Sequence, residues 1–159
     1  MPRLPSALAE PRNPIRAIAV GWALSLAGSL ALAALSQLLV PNLGTPEFPA
    51  LPPLLTLFML VVFAPVVETL IMAAALELML VLRIPAAMAI AASAAGWGVA
   101  HGLEALGWGL VIWWPFLIFS TLYVVWRQRS IWAGLGVAAA THALQNLGPA
   151  LFLLGEAGG

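Results

Sequence analysis

Long apolar runs broken by short polar or Pro/Gly-bearing stretches divide this chain into five segments. They cover about Ala17–Val40, Leu54–Leu82, Ala86–Leu106, Trp108–Trp126 and Ile131–Leu154. A helix needs about 20 mainly apolar residues to cross hydrocarbon, and each run is near that length or beyond it. The pattern predicts an all-α, polytopic transmembrane helix bundle of about five spans with a cytoplasmic N-terminus. Residues 17–154 form its single transmembrane domain, between an N-terminal tail (1–16) and a C-terminal tail (155–159). The first run exceeds the 7–15-residue apolar core of a cleaved signal peptide and reads as a retained helix. The second exceeds a straight span, and Pro65 inside it breaks the main-chain ladder. A kink, or the end of a short leading segment, is expected there.

Composition sharpens the class. Hydrophobic residues make up 63% of the chain and charged residues 8%, against about 25% charged in soluble domains. Net charge is zero, which argues against a nucleic-acid partner. Cysteine is absent, which excludes disulfides, thiol catalysis and cysteine-ligated zinc. Every formal charge is Arg or Glu, with neither Lys nor Asp present, a bias that fits a GC-rich bacterial genome. The expected location is the bacterial plasma (inner) membrane, as a multi-pass protein in contact with the lipid bilayer.

With alternating spans, Arg3, Arg12, Arg16, Arg83, Arg127 and Arg129 all fall on one side, the cytoplasmic one by the positive-inside rule. Glu47, Glu104 and Glu156 then face outward. Trp22, Trp126 and Trp132 lie near the inner boundary and Trp108 near the outer, as in an aromatic belt. Gly21, Ser25, Ser29 and Ala33 form a small-residue ridge for close helix packing. Gly98 and Gly102 repeat the pattern, and also leave room beside His101.

Against this background four polar residues stand out. Glu68 lies inside FMLVVFAPVVETLIMAAALELML with no basic residue near it in sequence, and an ionisable group at bilayer depth is costly enough to suggest function. His101 lies near the outer end of the third run. His142 and Asn146, four apart, share one face of the fifth, with Gln145 beside them. Interhelical hydrogen bonding accounts for each histidine or amide singly. Glu104 reads as a solvated residue at a helix end. Glu77, nine residues past Glu68 and half a turn out of phase, reads as a polar anchor or partner for a cytoplasmic arginine.

Together these side chains suit peptide hydrolysis without a covalent intermediate. Glu68 would deprotonate a water that His101 helps to hold. His142 and Asn146 would donate to the developing oxyanion. No cofactor is required; zinc on Glu68, His101 and His142 is the minority alternative, with no HExxH helix to support it.

The motifs Ala64-Pro65-Val66-Val67-Glu68-Thr69, Trp97-Gly98-Val99-Ala100-His101 and His142-Ala143-Leu144-Gln145-Asn146 stand in order on three predicted helices. In this the chain resembles the CPBP family of intramembrane proteases, which includes type II CAAX prenyl endopeptidases and bacteriocin-processing relatives. The resemblance covers about half the chain and implies a glutamate-dependent protease with catalytic Glu68, His101, His142 and Asn146. The family's second glutamate is Thr69 here and its arginine is Ala73, so a supporting ion pair is missing. His101 is expected about 7 Å from the outer helix end, at 1.5 Å per residue. That favours a membrane-anchored protein or peptide substrate exported from the cell over a prenylated cytoplasmic tail. Two alternatives remain open: a non-catalytic immunity or scaffold protein, and a proton-relay or transport component.

Overall fold

The structure, a computed structural model, describes residues 5–41, 43–44, 46, 48 and 51–157, with the side chains of residues 156 and 157 excepted. The outward placement of Glu47 and Glu156 and the inward placement of Arg3 lie outside the described side chains. Helix is the regular secondary structure of the described residues, with no strand among them. A single turn, α1 (Ser6–Ala9), precedes α2 (Pro14–Leu39), α3 (Pro53–Val81), α4 (Ala86–Gly102), α5 (Leu106–Trp126) and α6 (Ile131–Ala157). Four of these, α2, α3, α5 and α6, are long and apolar enough to cross a membrane. The fifth, α4, has 17 residues, or about 25 Å at 1.5 Å per residue, at the short end of the spanning range. The chain is thus a membrane protein, a helical bundle of about five spans.

Local chemistry sets the helix ends. Asn13 caps α2, its Oδ1 accepting from the Arg16 N–H at 3.0 Å, and Pro14 occupies the first turn, where a missing donor costs nothing. The helix therefore starts three residues before the apolar run. At the far end of α3, Arg83 adopts a left-handed conformation (φ 62°). Its N–H donates to Leu80 and that of Ile84 to Met79, a Schellman closure usually built on glycine. Pro85 then opens α4.

Lipid-facing and buried positions separate as a bilayer requires. Leu30, Leu38, Leu54, Leu78, Val81, Val99 and Phe152 are exposed, while Ser25, Ser93, Ser120 and Thr141 are buried. Of the ridge on α2, Gly21, Ser25 and Ser29 are buried, with Gly21 set against Leu122 of α5 and Thr141 of α6; Ala33 is half-buried, and the buried stripe runs instead back to Ala17. Gly98 and Gly102 let α4 approach α5. A Cβ on Gly109 of α5 would lie 2.5 Å from the Gly102 Cα, so only glycine fits that crossing. These two glycines of α4 thus serve helix contact.

The ends of the bundle sort as alternation demands. At one end Leu8 and Ala17 pack with Trp126, and Arg129 lies 5.8 Å from the Trp126 ring. At the other, the Gly107 N–H donates to Leu43 and Phe48 meets Trp108 edge-on at 5.7 Å. Glu77 near the end of α3 pairs through both carboxylate oxygens with Arg127, the contact to Nη2 being 2.6 Å, and accepts from the Tyr123 hydroxyl at 2.7 Å. The expected arginine partner of Glu77 is therefore Arg127.

Candidate active site

The α3 helix crosses its proline without a break, through a change of winding. Phe58–Phe63 form a π turn immediately before Pro65, in which the Ala64 N–H donates five residues back to Met59. In this register the next carbonyl, that of Leu60, looks to residue 65 for its donor, and proline has none. The Asn146 amide of α6 supplies one instead, Nδ2 donating to the Leu60 carbonyl at 3.0 Å. The irregularity at Pro65 takes the form of a π turn just before the proline, after the short leading segment Pro53–Leu57.

One turn beyond Pro65, Glu68 faces α6. Its Oε2 lies 3.6 Å from His142 Nε2, with the Glu68 side chain 24% exposed and that of His142 4%. The imidazole is sandwiched by aromatics of α5. It stacks on Phe119 (centroids 4.6 Å, 21°) and meets Phe116 edge-on at 5.2 Å. His142 Nδ1 is buried without a partner among the described residues.

His101 approaches the same ring from α4, its centroid 5.8 Å from that of Phe116. Trp97, stacked on Phe116 at 4.4 Å, supplies the carbonyl that accepts from His101 Nδ1 at 2.9 Å. A carbonyl only accepts, so the proton sits on Nδ1 and neutral His101 keeps a lone pair on Nε2. The Trp108 ring meets the imidazole edge-on at 4.4 Å. Because α4 ends at Gly102, His101 occupies the last turn, nearer the outer end than its apolar run implied. Glu104 is exposed in the following turn and makes no side-chain bond to His101, as a solvated helix-end residue would.

The fold therefore brings His142 and His101 to Phe116, places Glu68 beside His142, and sets Asn146 one turn farther along α6. One Asn146 N–H is taken by Leu60, so a single N–H is left for any other acceptor. Gln145 turns away from this group and donates to Ser29 of α2 at 3.3 Å. Thr69 is buried, with no partner for its hydroxyl among the described residues, and Ala73 packs in the aromatic core with Phe116 and Phe119. Neither position supplies a charge beside Glu68. The Glu77–Arg127 pair lies one turn beyond Ala73. Among the described residues no three His, Cys, Asp or Glu side chains converge as metal ligands. The boxing aromatics Phe116 and Phe119 escape sequence reading because α5 is apolar on every face.

No family model matches this chain, and neither a curated protein nor a solved structure does.

Proposed function

We propose that this chain is an intramembrane endopeptidase of the glutamic type, similar in mechanism to CPBP proteases, in a bacterial plasma membrane. Its substrate is a peptide bond near the membrane anchor of an exported protein. The observation that carries this reading is the Glu68 carboxyl set 3.6 Å from His142, whose ring packs on the same Phe116 as His101. Paired titratable groups at bilayer depth are costly to keep and serve chemistry more readily than stability.

In the proposed reaction Glu68 takes a proton from water, and the hydroxide attacks the scissile carbonyl carbon. His101, with Nδ1 fixed on Trp97, holds that water through Nε2. The carbonyl π electrons move to oxygen, where an N–H of His142 and the remaining N–H of Asn146 stabilise the oxyanion. Glu68 then returns its proton to the leaving amine as the C–N bond breaks, releasing one carboxyl and one amine terminus. The scheme uses no metal. The position of His101 in the last turn of α4 supports entry from the outer half of the bilayer.

A non-catalytic scaffold is the second reading. It is favoured by the Asn146 amide being engaged on Leu60 and by the uncharged Thr69 and Ala73. Mass spectrometry of membrane-protein termini from host cells carrying the native chain or Glu68→Gln separates the two. A set of anchor-proximal termini should vanish in the variant at equal protein level. Identical lists would sink the protease reading and leave the scaffold.

A further inference from the structure

Asn146 sits four residues from His142 on α6, and the two side chains grip α3 on opposite sides of Pro65. The helices run antiparallel, so the later α6 residue meets the earlier α3 residue: Asn146 reaches Leu60, and His142 reaches Glu68. The Asn146 grip falls inside the π turn and the His142 grip beyond it; the turn shifts helical register by one residue, about 100° of rotation at 3.6 residues per turn. Had α3 stayed α-helical through Phe58–Phe63, the same upstream packing would bring a neighbour of Glu68 toward His142. A π turn closing on a proline leaves the Leu60 carbonyl without a main-chain donor. In a bilayer core no water replaces it.

We propose that Asn146 is a positioning residue for this site: by donating to the Leu60 carbonyl that Pro65 leaves unpartnered, it holds the π turn that points Glu68 at His142. The role goes beyond donation to an oxyanion, since it acts through the backbone of another helix and needs no substrate. Its meaning for catalysis rests on the reading of Glu68 and His142 as an active site, while the geometry itself is measured without activity.

The native chain has no cysteine, so cysteine pairs report helical phase cleanly. In native membranes Glu68→Cys with His142→Cys should be joined by a short bifunctional thiol reagent far more efficiently than pairs of His142→Cys with Val67→Cys or Thr69→Cys. Adding Asn146→Leu should reduce that preference roughly tenfold, the scale set by leaving one buried carbonyl without a donor. The decisive arm is the same change in a Pro65→Ala background. Alanine restores an N–H that satisfies this stretch of α3, so Asn146→Leu should then alter neither the cross-linking preference nor protein level.

If Asn146→Leu leaves the preference intact in both backgrounds, Asn146 does not position Glu68 and the proposal fails. An equal loss in both backgrounds also overturns it, because Asn146 then acts elsewhere than on Leu60. Should Asn146→Leu alone fail to accumulate, Pro65→Ala with Asn146→Leu must accumulate as Pro65→Ala does; failure of both overturns the proposal. A positive result in a chain that cleaves nothing would keep this geometry and remove only the protease reading.

Discussion

A carboxyl group surrounded by hydrocarbon survives only where neighbouring side chains make use of it, and the Glu68 carboxyl lies 3.6 Å from His142. If Glu68 is the general base, Glu68→Gln should lower cleavage roughly 10²–10⁴-fold with helical content and yield unchanged. Circular dichroism of the purified variant checks the second half of that statement. His142 offers the opposite test, since its Nδ1 is buried without a partner and its ring already stacks on Phe119. His142→Phe should keep the stack and remove an unsatisfied polar atom, leaving thermal stability in detergent unchanged or higher by up to about 1–3 kcal/mol, while cleavage is lost. Marked destabilisation by this change would mean that the imidazole serves packing or an interhelical bond instead. Glu68 and the histidines were legible in the sequence because polar residues inside apolar runs announce themselves. The partner of Asn146 was not legible, because it is a main-chain carbonyl freed by a winding change and a proline.

Helices in this bundle meet through small residues, aromatic plates, two buried apolar clusters and the Glu77–Arg127 ion pair. Gly28 of α2 faces the Trp114 indole of α5, whose Nε1–H donates to the Leu24 carbonyl at 2.9 Å. A Cβ at Gly28 would fall within the indole ring, so Gly28→Ala should cost about 1–3 kcal/mol through overpacking. Thermal unfolding in detergent reads that loss. The Glu77–Arg127 pair ties α3 to the end of α5, with side chains 28% and 32% exposed. Arg127→Gln should destabilise by about 1–2 kcal/mol, between the values for surface and buried pairs. The spans themselves were readable from run length alone. Their ends were less so, because α2 starts at an Asn-Pro cap outside the apolar run and α4 stops at Gly102, four residues before its run does. Capping and turn chemistry, rather than hydropathy, set those boundaries.

At the scale of the whole molecule, the helix ends sort into two sets, and the positive-inside rule assigns the arginine-bearing set to the cytoplasm. Single cysteines at the exposed positions 104 and 129 should therefore label from opposite sides, 104 from outside and 129 from the cytoplasm. Labelling of both from one side would break the five-span arrangement, and a swapped result would reverse its orientation. Sidedness matters because, with that orientation, His101 in the last turn of α4 would lie toward the outer side, where the proposed reaction would meet exported rather than cytoplasmic substrates. The central claim is hydrolysis inside the membrane by water that Glu68 activates, and isotope transfer from water tests it most directly. Membranes holding the native chain or Glu68→Gln at equal level would be incubated in water enriched in oxygen-18, and new peptide C-termini weighed. The claim predicts anchor-proximal termini carrying one heavy oxygen per cleavage with the native chain and none with the variant. The same labelled termini from both membranes, or no labelled terminus from either, would contradict it.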